Sequence, residues 1–417
     1  MKKHLFLATS MMAALPLASC RTVPEGTQGN ASSFGTDIAF LKKHVKVQVL
    51  RSSSGAQVAI VPAWQGRVIT SSAGGEKGLS YGWINYPLVE SGIKPEAERT
   101  GLESHIYVFG GEERLWLGPE GGQYALFFPP GVKDYTFDKW KTPALIDTEP
   151  FEVKTATDTR IVLERSAKLT NKAGTAFSLR LERDVEVLEK AAVAGEFTVE
   201  VPDSVRFVGY RSRNVLANTG DKPWTKEGGV MSVWMLGMLK HGPGVTVVVP
   251  LADGSEPAVN SDYFGTPGSD RLRVVKQAVF FKGDGQFRSK IGIPPRRAKG
   301  ICGSYDADRG ILTVIRFSQP ADAASLPYVR SQWKDHEQPY AGDVINAYND
   351  GSPEPGAKPL GPFYELESSS PALPLEPGKA IEHTQTTVHF EGTAGQLDPL
   401  SLATLGVSIA EITAALK

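Results

Sequence analysis

The sequence is poor in cysteine, which argues against a fold held together by disulfides. Cys20 and Cys302 are the only two cysteines among 417 residues. Cys20 belongs to a processing motif discussed below, and this leaves Cys302 without a partner in the chain. We therefore expect Cys302, in Gly-Ile-Cys-Gly, to be a small buried apolar residue.

The sequence also lacks an excess of either charge. It has 45 Lys and Arg against 46 Asp and Glu, and removal of residues 1–19, with two lysines and no acids, changes the formal charge from −1 to −3. No basic block occurs, so we expect no nucleic-acid partner. The hydrophobic share of 41% is typical of a globular protein with a well-filled core.

Common signatures of a nucleophilic serine, of cofactor binding and of metal binding are missing. We find no G-x-S-x-G element, no phosphate-binding Gly-Lys loop and no dinucleotide fingerprint. His383 and His389 are six residues apart on a predicted strand, too far along it to bind one metal ion directly. The sequence therefore predicts neither a cofactor nor a metal site.

Long apolar runs are absent except at the N-terminus. Leu5–Leu17 follows Lys2 and Lys3, and Leu17-Ala18-Ser19-Cys20 matches a lipobox, in which cleavage precedes a lipidated cysteine. We interpret residues 1–19 as a lipoprotein signal peptide and Cys20 as the lipidation site. A lipid anchors a protein to a membrane without spanning it.

The segment after the cysteine indicates where such a lipoprotein would reside. Arg21 stands where an Asp would retain it in the inner membrane, so the sequence favours the bacterial outer membrane, facing the periplasm or the cell surface. Residues 20–36 are polar and turn-rich, and we interpret them as a lipidated tether. Residues 37–417 show no domain break and are interpreted as a single domain, expected to be monomeric.

Turn residues and alternating apolar positions predict a mostly β domain. The 43 glycines and 29 prolines favour many turns. Alternating apolar positions predict strands. No run of strands that alternate with long helices occurs, so a parallel α/β fold is disfavoured. Helices are predicted at Asp37–His44 and after the Ser408 capping box. The predicted strands are Val45–Leu50, Val58–Pro62, Gly66–Ser71, Ser80–Asn85, Tyr124–Phe128, Arg160–Thr170, Phe177–Leu181, Phe197–Val201, Val205–Tyr210, Met231–Leu239, Val245–Pro250, Leu272–Phe281, Ile311–Phe317 and Phe363–Ser368.

The segment Gly110–Gln123, GGEERLWLGPEGGQ, has a composition typical of sugar recognition. Its glycines allow close approach, its Arg, Glu and Gln side chains can hydrogen-bond, and its Trp offers a flat apolar face. Sugars present hydroxyls at their edges and C–H groups on their faces, which match these groups. A polar hairpin between two strands is the alternative interpretation.

A second informative region is Tyr328–Pro371, which is dense in aromatic, amide and acidic residues. On the predicted strand Phe363–Ser368, Glu365 and Glu367 share one face, about 6.5–7 Å apart. Paired carboxylates suit general acid–base chemistry, because one can retain its proton near neutral pH. The alternative is a solvated face, or pairing with Arg67 or Arg114.

His336 is the best histidine candidate for a base, because Trp, Asp, Glu and Tyr residues surround it in the sequence. A histidine that anchors a loop is the alternative interpretation.

The order of several motifs resembles that of the galactose mutarotase-like (aldose 1-epimerase) superfamily. These motifs are Gly66-Arg67-Val68, Asn218-Thr219-Gly220 before Trp224, the late strand bearing the glutamates, and Leu375-Glu376-Pro377-Gly378. GGEERLWLGPEGGQ, GDVINAYNDG and GPFYELESSSPA resemble an uncharacterised family of bacterial lipoproteins within that superfamily. The resemblance implies an all-β fold, an antiparallel β-supersandwich with a short C-terminal helix, and a sugar cleft on the concave face of one sheet.

The resemblance also implies roles for individual residues. The late-strand base that takes the anomeric hydroxyl proton would be Glu365 or, with a slight preference, Glu367. Mutarotases protonate the ring oxygen with a histidine that follows an Asn, but the corresponding segment Arg213–Gly220 has no histidine. His105, His241 and His336 are the candidates to replace it.

We therefore expect a carbohydrate ligand and carry three hypotheses. The first is a sugar-active enzyme, either an epimerase-like isomerase or a carbohydrate-cleaving enzyme, with catalytic residues Glu367, Glu365 and His336. The others are a non-catalytic glycan-binding lipoprotein and an envelope scaffold. The expected ligand-binding residues are Arg67, Trp83, Asn85, Glu113, Arg114, Trp116, Glu120, Gln123 and Asn349.

Overall fold

Two large antiparallel sheets form the protein. A computed structural model describes residues 32–354 and 356–417, and within them one sheet has eight strands and the other has ten. This confirms the predicted all-β antiparallel architecture. In chain order the strands are β1 (Gln48–Arg51), β2 (Gln57–Val61), β3 (Arg67–Ser72), β4 (Gly111–Gly118), β5 (Glu152–Ala156), β6 (Arg160–Thr170), β7 (Ala176–Leu188), β8 (Arg206–Asn218), β9 (Ser232–Lys240), β10 (Val245–Pro250), β11 (Leu272–Val274), β12 (Ala278–Lys282), β13 (Ser289–Ile293), β14 (Ile301–Asp306), β15 (Ile311–Phe317), β16 (Ile345–Asn349), β17 (Phe363–Ser369) and β18 (Ala380–Glu391).

The strand order places the late glutamate-bearing strand near the middle of the smaller sheet. Sheet 1 has the order β1-β2-β3-β4-β9-β17-β16-β13, and sheet 2 has the order β11-β12-β10-β14-β15-β18-β8-β7-β6-β5. The predicted hairpin around Asn171 is confirmed, since β6 pairs with β7 from Arg160 to Thr170. Strand β17 pairs with β9 on one side and β16 on the other.

The helices cover the outer faces of both sheets. Helices α1 and α2 pack on β1–β3 of sheet 1 through an apolar cluster that includes Phe34 and Leu41. Helices α3, α4 and α5 pack on sheet 2 in a second cluster, and the capping box at Ser408 begins α5 as predicted. The helices are α1 (Phe34–His44), α2 (Tyr86–Ser91), α3 (Lys190–Phe197), α4 (Ala394–Leu405) and α5 (Ile409–Ala414), and the short 3-10 helices are Pro62–Trp64, Gly75–Lys77, Glu96–Glu98, Gly101–Ser104, Ala144–Ile146 and Ala323–Ser325. None of the helices in the described ranges is long and apolar enough to cross a membrane.

Three predicted strands are not strands. Tyr124–Phe128 packs apolar side chains into the core from an irregular loop, where Leu126 N–H donates to the Pro119 carbonyl (2.9 Å). Phe197 ends α3, and the positive φ of Thr198 (55°) stops the following backbone from continuing the helix. Ser80–Asn85 makes isolated bridges only. Apolar content alone therefore predicts too many strands, because buried loops also need apolar side chains.

Helix α1 begins at Phe34, earlier than the predicted helix start at Asp37. The Ser33 hydroxyl accepts from Thr36 N–H (3.3 Å) and caps α1, and Phe34 is buried. The last residues assigned to the tether are thus packed against the sandwich.

The space between the sheets combines an apolar core with a buried polar layer. Arg183 on β7 reaches across to Glu113 on β4 (2.7 Å), and both side chains are 0% exposed. Arg183 also donates to Asn214 Oδ1 (2.8 Å), while Gln385 donates to the second oxygen of Glu113 (2.9 Å). Cys302 lies buried among apolar residues, as predicted. These hydrogen bonds fix how the sheets face each other.

A loop covers the free edge of sheet 1. Strand β13 ends the sheet, and Asn260 exchanges two backbone hydrogen bonds with Gly292 on β13, both 2.8 Å. The loop around Asn260 therefore completes part of the ladder at this edge.

We predict that Arg183→Met lowers the free energy of unfolding by about 3–5 kcal/mol, because it leaves the Glu113 carboxylate buried without its cation. Urea denaturation measures the change. The control is Arg160→Met, which removes a pair with Asp184 from an arginine that is 56% exposed and should cost less than about 1 kcal/mol. Equal losses in the two variants would contradict the prediction.

Candidate active site

Alternation along β17 directs its two glutamates away from sheet 2. Tyr364 and Ser368 point towards sheet 2, where the Tyr364 hydroxyl lies 2.8 Å from Ser304 Oγ and Ser368 donates to Gln385 Oε1 (2.7 Å). Glu365 and Glu367 occupy the opposite face, so the predicted shared face is confirmed. We call this outer surface of β4, β9, β17, β16 and β13 the carboxylate face.

The strand register brings charged and aromatic side chains beside the two glutamates. Residues directly opposite one another in antiparallel strands share a face. The cross-strand partners of Glu367 are Leu236 and Asn346, and those of Glu365 are Met238 and Tyr348. Charged and aromatic side chains on the carboxylate face include Arg114 and Trp116 on β4, Trp234 on β9 and Lys290 on β13.

Glu367 is held through one of its two oxygens. Lys290 Nζ and Trp234 Nε1 both donate to Glu367 Oε2, each at 2.9 Å. Glu367 Oε1 is buried and has no hydrogen-bond partner among the described residues. Lys290 Nζ also lies 5.0 Å from the centre of the Trp234 ring, a favourable cation–π distance. The carboxylate is thus oriented while one oxygen stays available.

Glu365 differs from Glu367 in its surroundings. Its carboxylate forms a buried ion pair with Arg114 Nη2. Burial raises the pKa of Glu365 to about 7, the positive charge of Arg114 opposes this rise, and the negative charge of Glu367 adds to it. Glu365 therefore holds its proton more tightly than an ordinary glutamate does.

A loop roof with aromatic side chains covers the carboxylate face. Trp333 Nε1 donates to Glu120 Oε1 at 2.9 Å. Burial raises the pKa of Glu120, and the positive charge of Lys290 opposes this rise. The rings of Trp116, Phe127, Trp140 and Trp333 follow one another with centres 5.2, 5.8 and 5.9 Å apart.

Glycine permits the close approach of two roof segments, as the Gly-rich sequence predicted. A Cβ on Gly121 would lie 2.3 Å from the carbonyl oxygen of Gln332. This contact brings Glu120 next to Trp333, so the glycine shapes the roof directly.

A third carboxyl group borders the site near Lys290. The side chains of Asn260 and Tyr263 donate to Asp343 Oδ2 at 2.9 and 3.0 Å. A Cβ on Gly292 would lie 2.1 Å from that oxygen, so only glycine leaves room for it. Burial raises the pKa of Asp343 to about 6, against the hydrogen bonds from Asn260 and Tyr263.

Several predicted binding residues lie on or beside the carboxylate face. Arg114 and Trp116 belong to the face, and Glu120 belongs to its roof. Arg67 donates to the Gly110 carbonyl (2.8 Å), and burial together with the charge of Arg114 lowers its pKa to about 9. Trp83 packs at the end of the face, with its ring centre 5.0 Å from that of Phe363.

The structure does not bring four other predicted residues to the glutamates. Asn85 accepts from Leu88 N–H and caps α2 (3.3 Å). Asn349 donates to Asp284 Oδ1 (3.0 Å) and holds a neighbouring loop. Gln123 is tied to the backbone of His336, donating to its carbonyl oxygen (2.8 Å) and accepting from its N–H (3.0 Å).

Glu113 is the fourth predicted residue that does not lie beside Glu365 and Glu367, and a β-bulge explains its position. The register between β4 and β9 shifts between Gly111 and Arg114. Glu112 and Glu113 consequently both face sheet 2, where Glu112 meets His389 Nε2 (2.9 Å) and Glu113 meets Arg183. A two-residue alternation read from the sequence cannot locate such a shift.

His336 is placed as a loop-anchoring residue. Its Nε2 lies 3.2 Å from the Gln332 carbonyl oxygen, and burial lowers its pKa. These contacts correspond to the alternative interpretation of this histidine. The predicted lipidation site, Cys20, lies outside the described residues.

Sequence reasoning missed Lys290, Trp234, Tyr263 and Asp343 as site residues. Lys290 and Trp234 interrupt apolar strands with a charge and a large indole, which is the signal that was available. Only the pairing of β13 with β16, and of β9 with β17, brings them to Glu367.

Comparisons with known proteins place the chain in a family. A model described as a family of unknown function, DUF6786, matches residues 32–416, and a search of curated proteins found no significant match. Among solved structures, the chain is similar to the Slr1438 protein from Synechocystis, with 14% identity, a TM-score of 0.48, and coverage of 84% of this chain and 96% of that chain. It is also similar to a galactose mutarotase-like protein from Lactobacillus casei, with 10% identity, a TM-score of 0.43, and coverage of 82% and 100%. These similarities concern the fold alone. Because the family model spans nearly all the described residues, the chain belongs to the family of unknown function DUF6786.

Proposed function

We propose that the protein is a carbohydrate-active enzyme in which Glu367 is the general base and Glu365 the general acid. The observation that carries this proposal is the pair of carboxyl groups on the carboxylate face, which have different partners. Glu367 is oriented by Lys290 and Trp234 and keeps Oε1 without a partner among the described residues. The pKa of Glu365 is raised by burial to about 7, so it carries a proton in a large share of molecules at neutral pH.

The reaction that this pair suits best is epimerase-like proton transfer on an aldose. Glu367 Oε1 removes the proton from the anomeric hydroxyl, and Glu365 gives its proton to the ring oxygen. The bond between the anomeric carbon and the ring oxygen breaks, which yields the open-chain aldehyde. Rotation about the next carbon–carbon bond and the reverse proton transfers close the other anomer and restore both groups.

In this proposal Glu365 fills the role that mutarotases give to a histidine. The segment Arg213–Gly220 has no histidine, and His336 is bound to the roof backbone. Arg114 beside Glu365 stabilises its carboxylate after the proton has left. The pair thus supplies both proton-transfer steps from one strand.

The surrounding groups suit a sugar ring. Trp116 and Trp234 provide flat apolar surfaces, with ring centres 5.6 Å apart. Trp116 Nε1 and Arg114 Nε are buried donors without partners among the described residues. Such donors match hydroxyl groups of a bound ligand, because unpaired buried donors are costly.

A non-catalytic glycan-binding function is the second candidate. The Arg114–Glu365 ion pair favours it, because an arginine that neutralises the acid can serve binding without proton transfer. The two functions differ in whether the ligand changes chemically.

We further propose that a lipid on Cys20 anchors the protein in the bacterial outer membrane. The lipobox Leu17–Cys20 and the absence of Asp after the cysteine support this proposal. We predict that full-length protein expressed in bacteria incorporates labelled palmitate and partitions with membranes, and that Cys20→Ser abolishes both. Incorporation that persists in Cys20→Ser would contradict the assignment.

We predict that Glu367→Gln lowers turnover by about 10²–10⁴-fold, because the base is lost while the shape of the side chain is kept. Proton NMR of freshly dissolved pure anomers and short oligosaccharides, with residues 21–417, measures interconversion or cleavage. Glu382→Gln is the matched control, since Glu382 lies on β18 of sheet 2 and is 48% exposed. Line broadening without chemical change would instead support the glycan-binding function.

We predict that turnover falls as the pH rises through about 7, because Glu365 must carry its proton to act as the acid. Glu365→Gln should turn over slowly and should not show this fall with rising pH.

The same raised pKa of Glu365 makes the protein less stable as the pH rises from 4.5 towards about 7, since the unfolded chain releases this proton first. Urea denaturation at pH 5 and pH 8, compared with Glu365→Gln, measures this effect.

We predict that two substitutions move the pKa of Glu365 in opposite directions. Arg114→Met should raise it by removing the positive charge, and Glu367→Gln should lower it by removing the negative charge. Carbon-13 NMR titration of the glutamate carboxyls, assigned with Glu365→Gln, measures both shifts. Shifts of the same sign would contradict the proposed coupling.

A further inference from the structure

We propose that Phe264 and Arg288 form an outer subsite for a second sugar unit, so that the substrate is an oligosaccharide chain. The inference rests on the proposed carbohydrate function of the carboxylate face and specifies its substrate class. It concerns residues beyond the pair of glutamates, at the edge of sheet 1 formed by β13 and β16.

The two residues continue outward from the carboxylate face. Tyr348 is the cross-strand partner of Glu365, which places their Cβ atoms about 5 Å apart. The Phe264 ring follows Tyr348, with ring centres 6.2 Å apart and planes tilted by 59°. A chain bound at Glu365 would therefore extend past Tyr348 towards Phe264.

The Phe264 ring is exposed to solvent, and neighbouring residues hold it in position. It is 47% exposed, although a large aromatic side chain is usually withdrawn from water. The guanidinium carbon of Arg288 lies 4.3 Å from the centre of its ring, so a cation supports the ring. The preceding residue, Tyr263, donates to Asp343 Oδ2 (3.0 Å) and fixes the loop at the site.

The chemistry of this pair fits a sugar unit. An exposed aromatic ring offers a surface for the C–H groups of a pyranose. Arg288 Nε is buried and has no hydrogen-bond partner within the described chain, and a guanidinium donates to hydroxyl oxygens. Next to it, the Asp350 carboxylate accepts from the Tyr348 hydroxyl (2.6 Å) and from Gly361 N–H (2.8 Å), which holds Tyr348 in position. The Phe264 ring, the Arg288 donor and the fixed Tyr348 side chain together form a surface that fits a sugar unit.

The test measures how affinity depends on chain length. The probes are α-1,4- and β-1,4-linked glucose oligomers and β-1,4-linked N-acetylglucosamine oligomers, each from one to four units, titrated by NMR. For at least one series we expect the tetramer to bind wild type about 10-fold more tightly than the monomer, since an aromatic contact of about 1.4 kcal/mol changes affinity tenfold. Phe264→Leu should bring this ratio close to one, and Phe264→Tyr should restore it. Leu402→Ala, on α4 beyond sheet 2, should keep the wild-type ratio.

The outcomes distinguish failure of the subsite from failure of the proposed catalysis. A chain-length gain that depends on Phe264, without chemical change of the ligand, supports the subsite and argues against catalysis. Monosaccharide turnover without any chain-length gain, or a gain that survives in Phe264→Leu, overturns the subsite and leaves the catalytic proposal standing. Absence of binding by every probe overturns both.

Discussion

The alternation of side chains along β17 is the constraint on which the rest of the site depends. One set of residues joins sheet 1 to sheet 2, and the other set carries both glutamates outward. A shift of one residue in the pairing with β9 would exchange the two sets. The bulge in β4 likewise determines which side chains face outward. It turns Glu112 and Glu113 towards sheet 2 and leaves Arg114 beside Glu365.

Both faces of sheet 1 carry buried polar residues. Between the sheets, Arg183 and Glu113 are completely buried and each has several partners, so the charges hold the sheets in register. On the carboxylate face, Glu367 Oε1, Arg114 Nε and Trp116 Nε1 are buried without partners among the described residues. The carboxylate face therefore contains buried hydrogen-bonding groups that are costly to stability when unpaired and that a ligand can use.

The sequence allowed the architecture and part of the site to be predicted. Local alternation located β10 and β15, and the hairpin around Asn171, because these signals need no distant partner. It also placed Glu365 and Glu367 on one face, and the alternative interpretation named Arg67 or Arg114 as a partner, of which Arg114 pairs with Glu365. Lys290 escaped prediction because its role arises from strands far apart in the chain. Asn85 and Asn349 were assigned to ligand binding, but caps and loop anchors use the same amide groups.

The loop that covers β13 affects both the solubility of the protein and its tolerance of substitutions. An uncovered edge strand is a template on which other chains can add, and here Asn260 occupies part of that template through its two bonds to Gly292. The same loop carries Tyr263 to Asp343. A substitution that loosens the loop would thus promote aggregation of the protein and disturb its polar cluster together. Variants that aggregate are therefore expected to map to this short segment.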